Sequence, residues 1–430
     1  MRIRSSFALM ATTVMLVAAC GGASTTPAPT AAAPTPPPAT AVAPTAVPAT
    51  PTAATPTTVP ATPTAAPQSV APPSSSTAPT GSSTGGNWKI GVVTDVGTVN
   101  DKNFNQYSYE GAVAGATAIG AAAPQYAVPT SSTDYAPDIQ NFVSQGFNLI
   151  VTVGFNLNTD TLKSAKANPK VWFIGVDQSA CITATGDPDT AATPTCAGDA
   201  SKLLPNFVGL QYQEDQAGYL AGIVAGSISA NKNVAAIGGI NLVPAVVRYI
   251  QGYPLGAMSV DPSMKVDIGY VTTSDFTKAF GDPTAGKDFA DQFIQSKHPD
   301  VVFQVAGNTG NGILQSACAA GIYGIGVDVD EWGSLKAATD PTYQCIVTSA
   351  EKHLSSSVAA TIQAIAAGTT PAVDASGALH FNATNDGIGV SQEQDGKNLI
   401  TPAIQTLLDT ALAGMKSGSL TTCPTTCGQP

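Results

Sequence analysis

The chain has 430 residues, more than the about 100–200 that one domain usually takes. Only 11% of them are charged, with 18 Lys and Arg against 29 Asp and Glu, a net charge of −11. This acidity excludes a nucleic-acid-binding protein, because such binding needs basic side chains to displace counterions. The histidines at 298, 353 and 380 lie too far apart for a local zinc motif, and we expect neither a metal nor a cofactor.

The amino-terminal segment is typical of a bacterial secretion signal. Arg2 and Arg4 supply positive charge, and residues 7–19 form an apolar run shorter than the ~20 residues that a membrane span needs. The run ends in Val-Ala-Ala-Cys, which resembles the sequence that precedes the lipidated cysteine of bacterial lipoproteins. We therefore expect a signal peptide over residues 1–19 and a lipidated Cys20. An ordinary cleavage site with a chance cysteine is the alternative.

Residues 20–87 are a low-complexity tract of Ala, Pro, Thr and Ser with no charged side chain. Such a composition lacks the large apolar residues that offset ordering entropy, so we expect a disordered tether. No later stretch reaches 18 uninterrupted apolar residues. The sequence therefore predicts a protein held on the extracytoplasmic side of the cell membrane by its lipid anchor alone.

Six further cysteines fit an exported protein, in which an even number indicates disulfides. Reduced, buried thiols are the alternative. Proximity along the chain favours three local pairs: Cys181–Cys196, Cys318–Cys345 and Cys423–Cys427.

From Lys89 onward, short apolar runs alternate with helix-like segments. The pattern predicts strands over 90–94, 126–129, 148–153, 171–176, 206–211, 233–238, 264–271, 300–307 and 323–328. It predicts helices over 104–120, 214–230, 244–258, 284–297, 310–320 and 351–367, and two more that begin near 135 and 157. This alternation indicates an α/β protein with two doubly wound parallel sheets, whose loops after the strands converge on one cleft.

Two of these loops contain candidate ligand-binding residues. The loop over 94–106 is crowded with short polar side chains and ends near Phe104, whose ring either stacks on a flat ligand or packs in the core. The loop over 306–312 is rich in glycine, which suits a phosphate, a carboxylate or a sugar hydroxyl, but also a tight turn. Asp328 and Asp330 follow a predicted strand and are suited to accept sugar hydroxyls.

Recognisable catalytic motifs are absent from the sequence. Residues 281–288 (GDPTAGKD) approach a Walker A motif, but Asp288 replaces its hydroxyl residue and no buried strand precedes it. No G-x-S-x-G motif or Cys–His pair supplies a nucleophile. We therefore expect a protein that is not an enzyme.

Several segments together resemble the basic membrane protein (BMP) family of bacterial lipoproteins, which includes the purine nucleoside receptor A-like binding proteins of ABC importers. The resemblance is carried by KIGVVTDVGTVNDKNFNQ (89–106), EDQAGYLAG (214–222), PAVVRYIQGY (244–253), FQVAGNTGNGI (303–313), GIGVDVD (324–330) and TSAEK (348–352). It implies a type I periplasmic-binding-protein fold of two lobes joined by a hinge. Lobe 1 would span 88–212 and 328–385, lobe 2 would span 213–327 and 386–417, and 418–430 would form a tail.

The resemblance also implies a ligand site. Phe104 and Tyr249 match the two aromatic rings that hold a nucleoside base, and Asp328 and Lys352 match the residues that hold the ribose. The other matching positions are Asn100, Asp101, Asn105, Gly307 and, where many members have an aspartate that contacts the purine, Thr159 or its neighbour Asp160.

These residues predict a monomeric, lipid-anchored substrate-binding protein that delivers a nucleoside, with a purine favoured, to the permease and ATPase of an ABC importer. A binding protein for a free sugar or another small metabolite is the main alternative. A surface sensor or adhesin that uses the tether and a secreted hydrolase are weaker ones.

Overall fold

The computed structural model describes residues 87–394, 397–425 and 427–429. The predicted signal peptide, Cys20 and nearly all of the predicted tether lie outside these residues. Within them the chain forms two α/β lobes, each built on a six-stranded sheet. In this part of the chain, no helix is both long enough and apolar enough to cross a bilayer.

The two sheets are almost entirely parallel. The first has the strand order β11-β5-β4-β3-β1-β2, and the second has the order β12-β10-β9-β8-β6-β7, in which only β12 is antiparallel to its neighbour. This confirms the predicted pair of doubly wound lobes. The strands are β1 (Ile90–Val93), β2 (Gln125–Ala127), β3 (Leu149–Val153), β4 (Trp172–Val176), β5 (Phe207–Tyr212), β6 (Asn233–Gly238), β7 (Lys265–Tyr270), β8 (Val301–Val305), β9 (Tyr323–Asp328), β10 (Ile346–Lys352), β11 (Ala378–Phe381) and β12 (Ile388–Val390).

Helices cover both faces of each sheet, so central strands such as β3 and β8 are buried along their whole length. The helices are α1 (Phe104–Ala118), α2 (Tyr135–Ser144), α3 (Asn158–Ala167), α4 (Ala200–Leu203), α5 (Glu214–Ile228), α6 (Pro244–Val260), α7 (Phe276–Phe280), α8 (Pro283–Lys297), α9 (Gly307–Ala319), α10 (Glu331–Ser334), α11 (Leu354–Ala366) and α12 (Pro402–Ser417).

The chain passes between the lobes three times, after β5, after β10 and after β11. The second passage corrects the predicted boundary, which assigned residues 328–385 to lobe 1. Strand β10 instead pairs with β9 in the second sheet, and the chain crosses only beyond Lys352. Helix α11, which follows the crossing, packs against α1 of the first lobe.

Strand β10 was not predicted: its last two residues were placed in the helix predicted over 351–367, and the others were assigned to no element. Its buried hydroxyl and amide groups are satisfied by the neighbouring strand segment: the Thr348 hydroxyl donates to the Ser391 carbonyl (2.6 Å), and the Ser349 amide donates to the Ser391 hydroxyl (2.8 Å). A polar strand is stable in a sheet interior only with such partners, and sequence alone does not reveal them.

Helices α5 and α6 of the second lobe approach each other until their backbones touch. A Cβ atom added to Gly218 would lie 2.3 Å from the Tyr249 carbonyl oxygen, and one added to Gly256 would lie 1.9 Å from the Tyr219 carbonyl oxygen. Glycine is therefore required on both helices, because any larger residue would push their backbones apart.

The six cysteines form three disulfides, and the pairing is the one that proximity along the chain favoured. Cys181–Cys196 closes the long loop between β4 and α4. Cys423–Cys427 closes a small loop in the tail, which packs on α6: the Gly428 amide donates to Gln251 Oε1 (2.8 Å), and Thr422 donates to Asp215 at the start of α5.

Candidate functional site

The candidate site is a cleft between the two lobes, lined by residues of both. Its first wall is formed by the loops that follow β1, β3 and β4. Its second wall is formed by the loops after β6 and β8, by α7 and by the ends of β9 and β10. The carboxyl ends of the parallel strands therefore converge on one space, as the βα pattern predicted.

Two aromatic rings from opposite lobes line this cleft. Phe104 is the first residue of α1 and is half-buried, whereas Tyr249 lies in α6 and is fully buried. The Tyr249 hydroxyl shares its one hydrogen between Asp328 Oδ1 (3.2 Å) and the Ala350 carbonyl (3.3 Å). These contacts fix the orientation of the ring. The cleft therefore offers two aromatic surfaces to a flat ligand.

Lys352, the last residue of β10, approaches both rings. Its ammonium nitrogen is 4.7 Å from the centre of the Phe104 ring and 5.9 Å from that of Tyr249. The same nitrogen is 2.7 Å from Asp177 Oδ2 and 3.2 Å from Asp328 Oδ1. Asp177 follows a strand of the first lobe, so Lys352 joins the two lobes through a buried ion pair.

A second, partly buried cation completes this cluster. Arg248 Nε lies 2.5 Å from Glu214 Oε2, and Glu214 Oε1 lies 3.7 Å from the Lys352 nitrogen. Three carboxylates thus share two cations at largely buried positions, where unpaired charge is costly. One proton would remove the excess of negative charge, and a ligand hydroxyl would donate a hydrogen bond to a carboxylate.

The pKa values of the cluster follow from this imbalance. Burial raises the pKa of Asp177 to about 7, although Lys352 opposes the rise. Burial likewise raises the pKa of Asp328. For Lys352 burial disfavours the ammonium, but Asp177, Asp328 and Glu214 outweigh it and raise the pKa above its ordinary value. Lys352 therefore stays charged, and the raised pKa values of Asp177 and Asp328 favour a proton on this carboxyl pair.

Asp101 caps α1 and lines the cleft as well. Its carboxylate accepts hydrogen bonds from the backbone amides of Asn103 (2.9 Å), Asn105 (3.0 Å) and Gln106 (3.0 Å). Burial raises its pKa, and these three donors act in the opposite direction. Asp101 therefore both stabilises the start of α1 and lines the cleft.

Seven of the predicted ligand residues line the cleft: Asp101, Phe104, Asn105, Tyr249, Gly307, Asp328 and Lys352. Asn100 is exposed and does not line it. Thr159 and Asp160 lie in the first turn of α3 outside it, and Asp160 is 3.8 Å from Lys163 on the surface.

Phe155 and Asn156 take the place predicted for Thr159 and Asp160, because a short 3-10 turn over 155–157 precedes α3. The Asn156 amide donates to Asp95 Oδ2 (3.3 Å). Asp95 also lines the cleft, accepts a hydrogen bond from the Tyr135 hydroxyl and has a pKa raised by burial. Carboxyl and amide groups thus stand at this end of the first wall.

Asp177 was missed by the sequence analysis, although the sequence contains a signal for it. Residues 174–177 and 325–328 both read Ile-Gly-Val-Asp, and each segment ends a central strand of its own sheet. Both aspartates adopt left-handed backbone, with φ of 57° and 66°. The repeat marks equivalent positions in the two lobes, and both carboxylates contact Lys352.

A family model and several known proteins match most of the described residues. The family model described as ABC transporter substrate-binding protein PnrA-like (Bmp) matches residues 89–407. The CD4+ T-cell-stimulating antigen of Listeria monocytogenes is 27% identical over 319 residues, which cover 71% of this chain and 80% of that protein. The ABC transporter nucleoside-binding protein BmpA of Lactococcus lactis is 29% identical over 254 residues, which cover 56% of this chain and 64% of that protein.

Solved structures share the fold. A solute-binding protein of an Aeropyrum pernix ABC transporter superposes with a TM-score of 0.61 at 22% identity, covering 78% of this chain and 92% of that one. A solute-binding protein from Conexibacter woesei superposes with a TM-score of 0.57 at 24% identity, covering 77% of this chain and 98% of that one. With the family model spanning most of the described residues, the chain belongs to the PnrA-like (Bmp) family of ABC transporter substrate-binding proteins.

Proposed function

We propose that this substrate-binding protein captures a nucleoside, with purine nucleosides favoured, and delivers it to the permease of an ABC importer. The observation that carries the proposal is that Phe104, Tyr249, Asp328 and Lys352 line one cleft. A nucleoside has a flat aromatic base and a hydroxyl-rich sugar, and these four side chains match both parts.

The base would lie between the two rings. Stacking on an aromatic side chain contributes about 1–3 kcal/mol per base and tolerates different bases. A purine covers more of the ring faces than a pyrimidine does, so it gains more from the same geometry. The carboxyl and amide groups of Asp95, Asn105 and Asn156 stand on the first wall, where they are suited to pair with the polar edge of the base.

The sugar would lie against Lys352 and Asp328. A carboxylate accepts hydrogen bonds from sugar hydroxyls, and the adjacent ammonium donates to a hydroxyl or ring oxygen. The name of the Lactococcus relative, a nucleoside-binding protein, supports the same ligand class. A free sugar is the second candidate, because this half of the cleft would suit it without any base.

Isothermal titration with adenosine, guanosine, inosine, uridine and free ribose tests the ligand. We expect purine nucleosides to bind most tightly and ribose at least about 100-fold more weakly, because ribose lacks the stacking contribution. Phe104→Ala should weaken nucleoside binding by about tenfold or more. Thr159→Ala, on a helix outside the cleft, should leave it within about twofold.

Two results would contradict this assignment. Ribose that binds as tightly as the nucleosides would make the protein a sugar-binding protein. Absence of heat with every nucleoside, from protein that unfolds cooperatively, would exclude the nucleoside class.

The proposal includes a lipid on Cys20 that holds the protein on the outer face of the membrane. Its basis is the Val-Ala-Ala-Cys sequence after the apolar run. We expect Cys20→Ser to release the protein from the membrane fraction into the medium, and mass spectrometry of the native protein to find an acylated Cys20. An unmodified cysteine, or a Cys20→Ser protein that stays with the membrane, would contradict the anchor.

A further inference from the structure

A single buried amide joins the two lobes beside the ligand cleft. Asn103 precedes α1 in the first lobe, and its side chain is completely buried. Its Nδ2 donates to Glu331 Oε1 (2.8 Å) and to the Val327 carbonyl (3.2 Å), and both acceptors belong to the second lobe. Because a backbone carbonyl only accepts, the amide nitrogen must point this way.

Glu331 is held rigidly in the second lobe by three neighbouring strands. Its Oε2 accepts from Gln304 Nε2 of β8 (2.7 Å) and from the Val327 amide of β9 (3.0 Å). Its own backbone amide donates to the Ser349 hydroxyl of β10 (3.1 Å). Glu331 is completely buried, so its Oε1 has a defined direction, towards Asn103.

The chain neighbours of this contact are ligand-cleft residues. Asn103 immediately precedes Phe104, and Val327 immediately precedes Asp328. Neither Asn103 nor Glu331 itself lines the cleft. Any effect of these two side chains on the ligand must therefore act through the residues that they hold.

We propose that Asn103 and Glu331 are positioning residues that set the distance between the Phe104 ring of one lobe and Asp328 of the other when the lobes are closed. A nucleoside needs the ring and the carboxylate at one fixed spacing, because its base and sugar are joined covalently. The inference rests on the proposed function for the class of ligand.

A double-mutant cycle tests this inference. Asn103→Ala leaves the buried Glu331 oxygen without its donor, and Glu331→Gln presents an amide to donors that need an acceptor. We expect each variant to bind adenosine about tenfold more weakly. The Kd of the double variant should lie within about twofold of the Kd of the weaker-binding single variant, because the two side chains act as one unit.

Asn206 supplies a matched control. It is also a buried asparagine, and its Nδ2 donates to the carbonyls of Ala165 (3.0 Å), Asn168 (3.1 Å) and Val171 (2.8 Å), all within the first lobe. Asn206→Ala should lower the melting temperature as much as Asn103→Ala does but leave the Kd for adenosine within about twofold. A purely structural role of Asn103 would make the two variants alike.

Three outcomes would overturn the inference: a folded Asn103→Ala variant with the wild-type Kd, single-variant losses that multiply in the double variant, or equal losses for Asn103→Ala and Asn206→Ala. If Asn103→Ala does not fold, Asn103→Ser takes its place in the cycle.

If the wild type binds no nucleoside, the proposed function fails, and small-angle X-ray scattering of the ligand-free proteins decides the inference. Asn103→Ala should then show a larger radius of gyration than wild type, and an unchanged radius overturns the inference.

Discussion

Lys352→Met is expected to abolish nucleoside binding and to destabilise the protein strongly. The methionine side chain fills a similar volume, but it leaves the carboxylates of Asp177, Asp328 and Glu214 without the cation between them. Removing one partner of a buried ion pair typically costs about 3–5 kcal/mol. We expect a loss of this size in urea denaturation near pH 7.5, and a loss of adenosine affinity of at least about 100-fold by titration calorimetry.

Acid should partly reverse this loss of stability. A carboxyl whose pKa is raised in the folded state contributes stability at low pH, and this contribution disappears as the pH rises through the folded-state pKa. The pKa of Asp177 is already about 7 with Lys352 present, and removing the cation that lowers it raises it further. The difference between variant and wild type should therefore be smaller near pH 5.5 than near pH 8.

The control for this experiment is Lys163→Met. Lys163 lies on the surface, where its side chain is 63% exposed and 3.8 Å from Asp160. Exposed pairs contribute at most about 1 kcal/mol, so this variant should resemble wild type. A Lys352→Met protein with wild-type stability and affinity would show that the buried cluster does not hold the ligand.

Gly256→Ala is expected to be the second strongly destabilising change. At an exposed helical position, replacing glycine with alanine would stabilise by about 1 kcal/mol, because alanine has the higher helix propensity. At Gly256 the added Cβ would lie 1.9 Å from the Tyr219 carbonyl oxygen, which is backbone and cannot move aside alone. We expect a loss of about 3 kcal/mol or more, the upper end for overpacking.

Differential scanning calorimetry with Gly389→Ala as the control would measure this effect. The nearest atom to a Cβ at Gly389 is His353 Nε2, at 3.7 Å, which is an ordinary contact distance. The control should therefore change the melting temperature little. Equal melting temperatures for the two variants would show that α5 and α6 separate easily, contrary to their backbone contact.

The sheets were predictable because their central strands are continuous apolar runs. Segments such as 149–153 and 301–305 are buried on both faces, and no helical period competes with them. Strand β10 was not predictable in the same way, since its polar half is stabilised by groups that lie about 40 residues further along the chain. The lobe boundary was misplaced for the same reason.

The sequence likewise predicted some residues of the site and missed others. Phe104 and Lys352 were identified from family-like motifs, and both line the cleft. Asn156 was missed because the sequence does not show that a short turn precedes α3 and shifts the cleft-facing position. The Asn103–Glu331 contact joins residues 228 positions apart, and no local pattern links two such positions.

The left-handed backbone of Asp177 and Asp328 restricts which residue types are tolerated at these two positions. At φ near 60°, most side chains cost roughly 1–2 kcal/mol, whereas asparagine and aspartate are tolerated and glycine is free. Substitution by glutamate or alanine would therefore destabilise the fold through backbone strain, in addition to any effect on ligand binding. Divergent relatives that acquire new ligands should change these two positions to asparagine or glycine first.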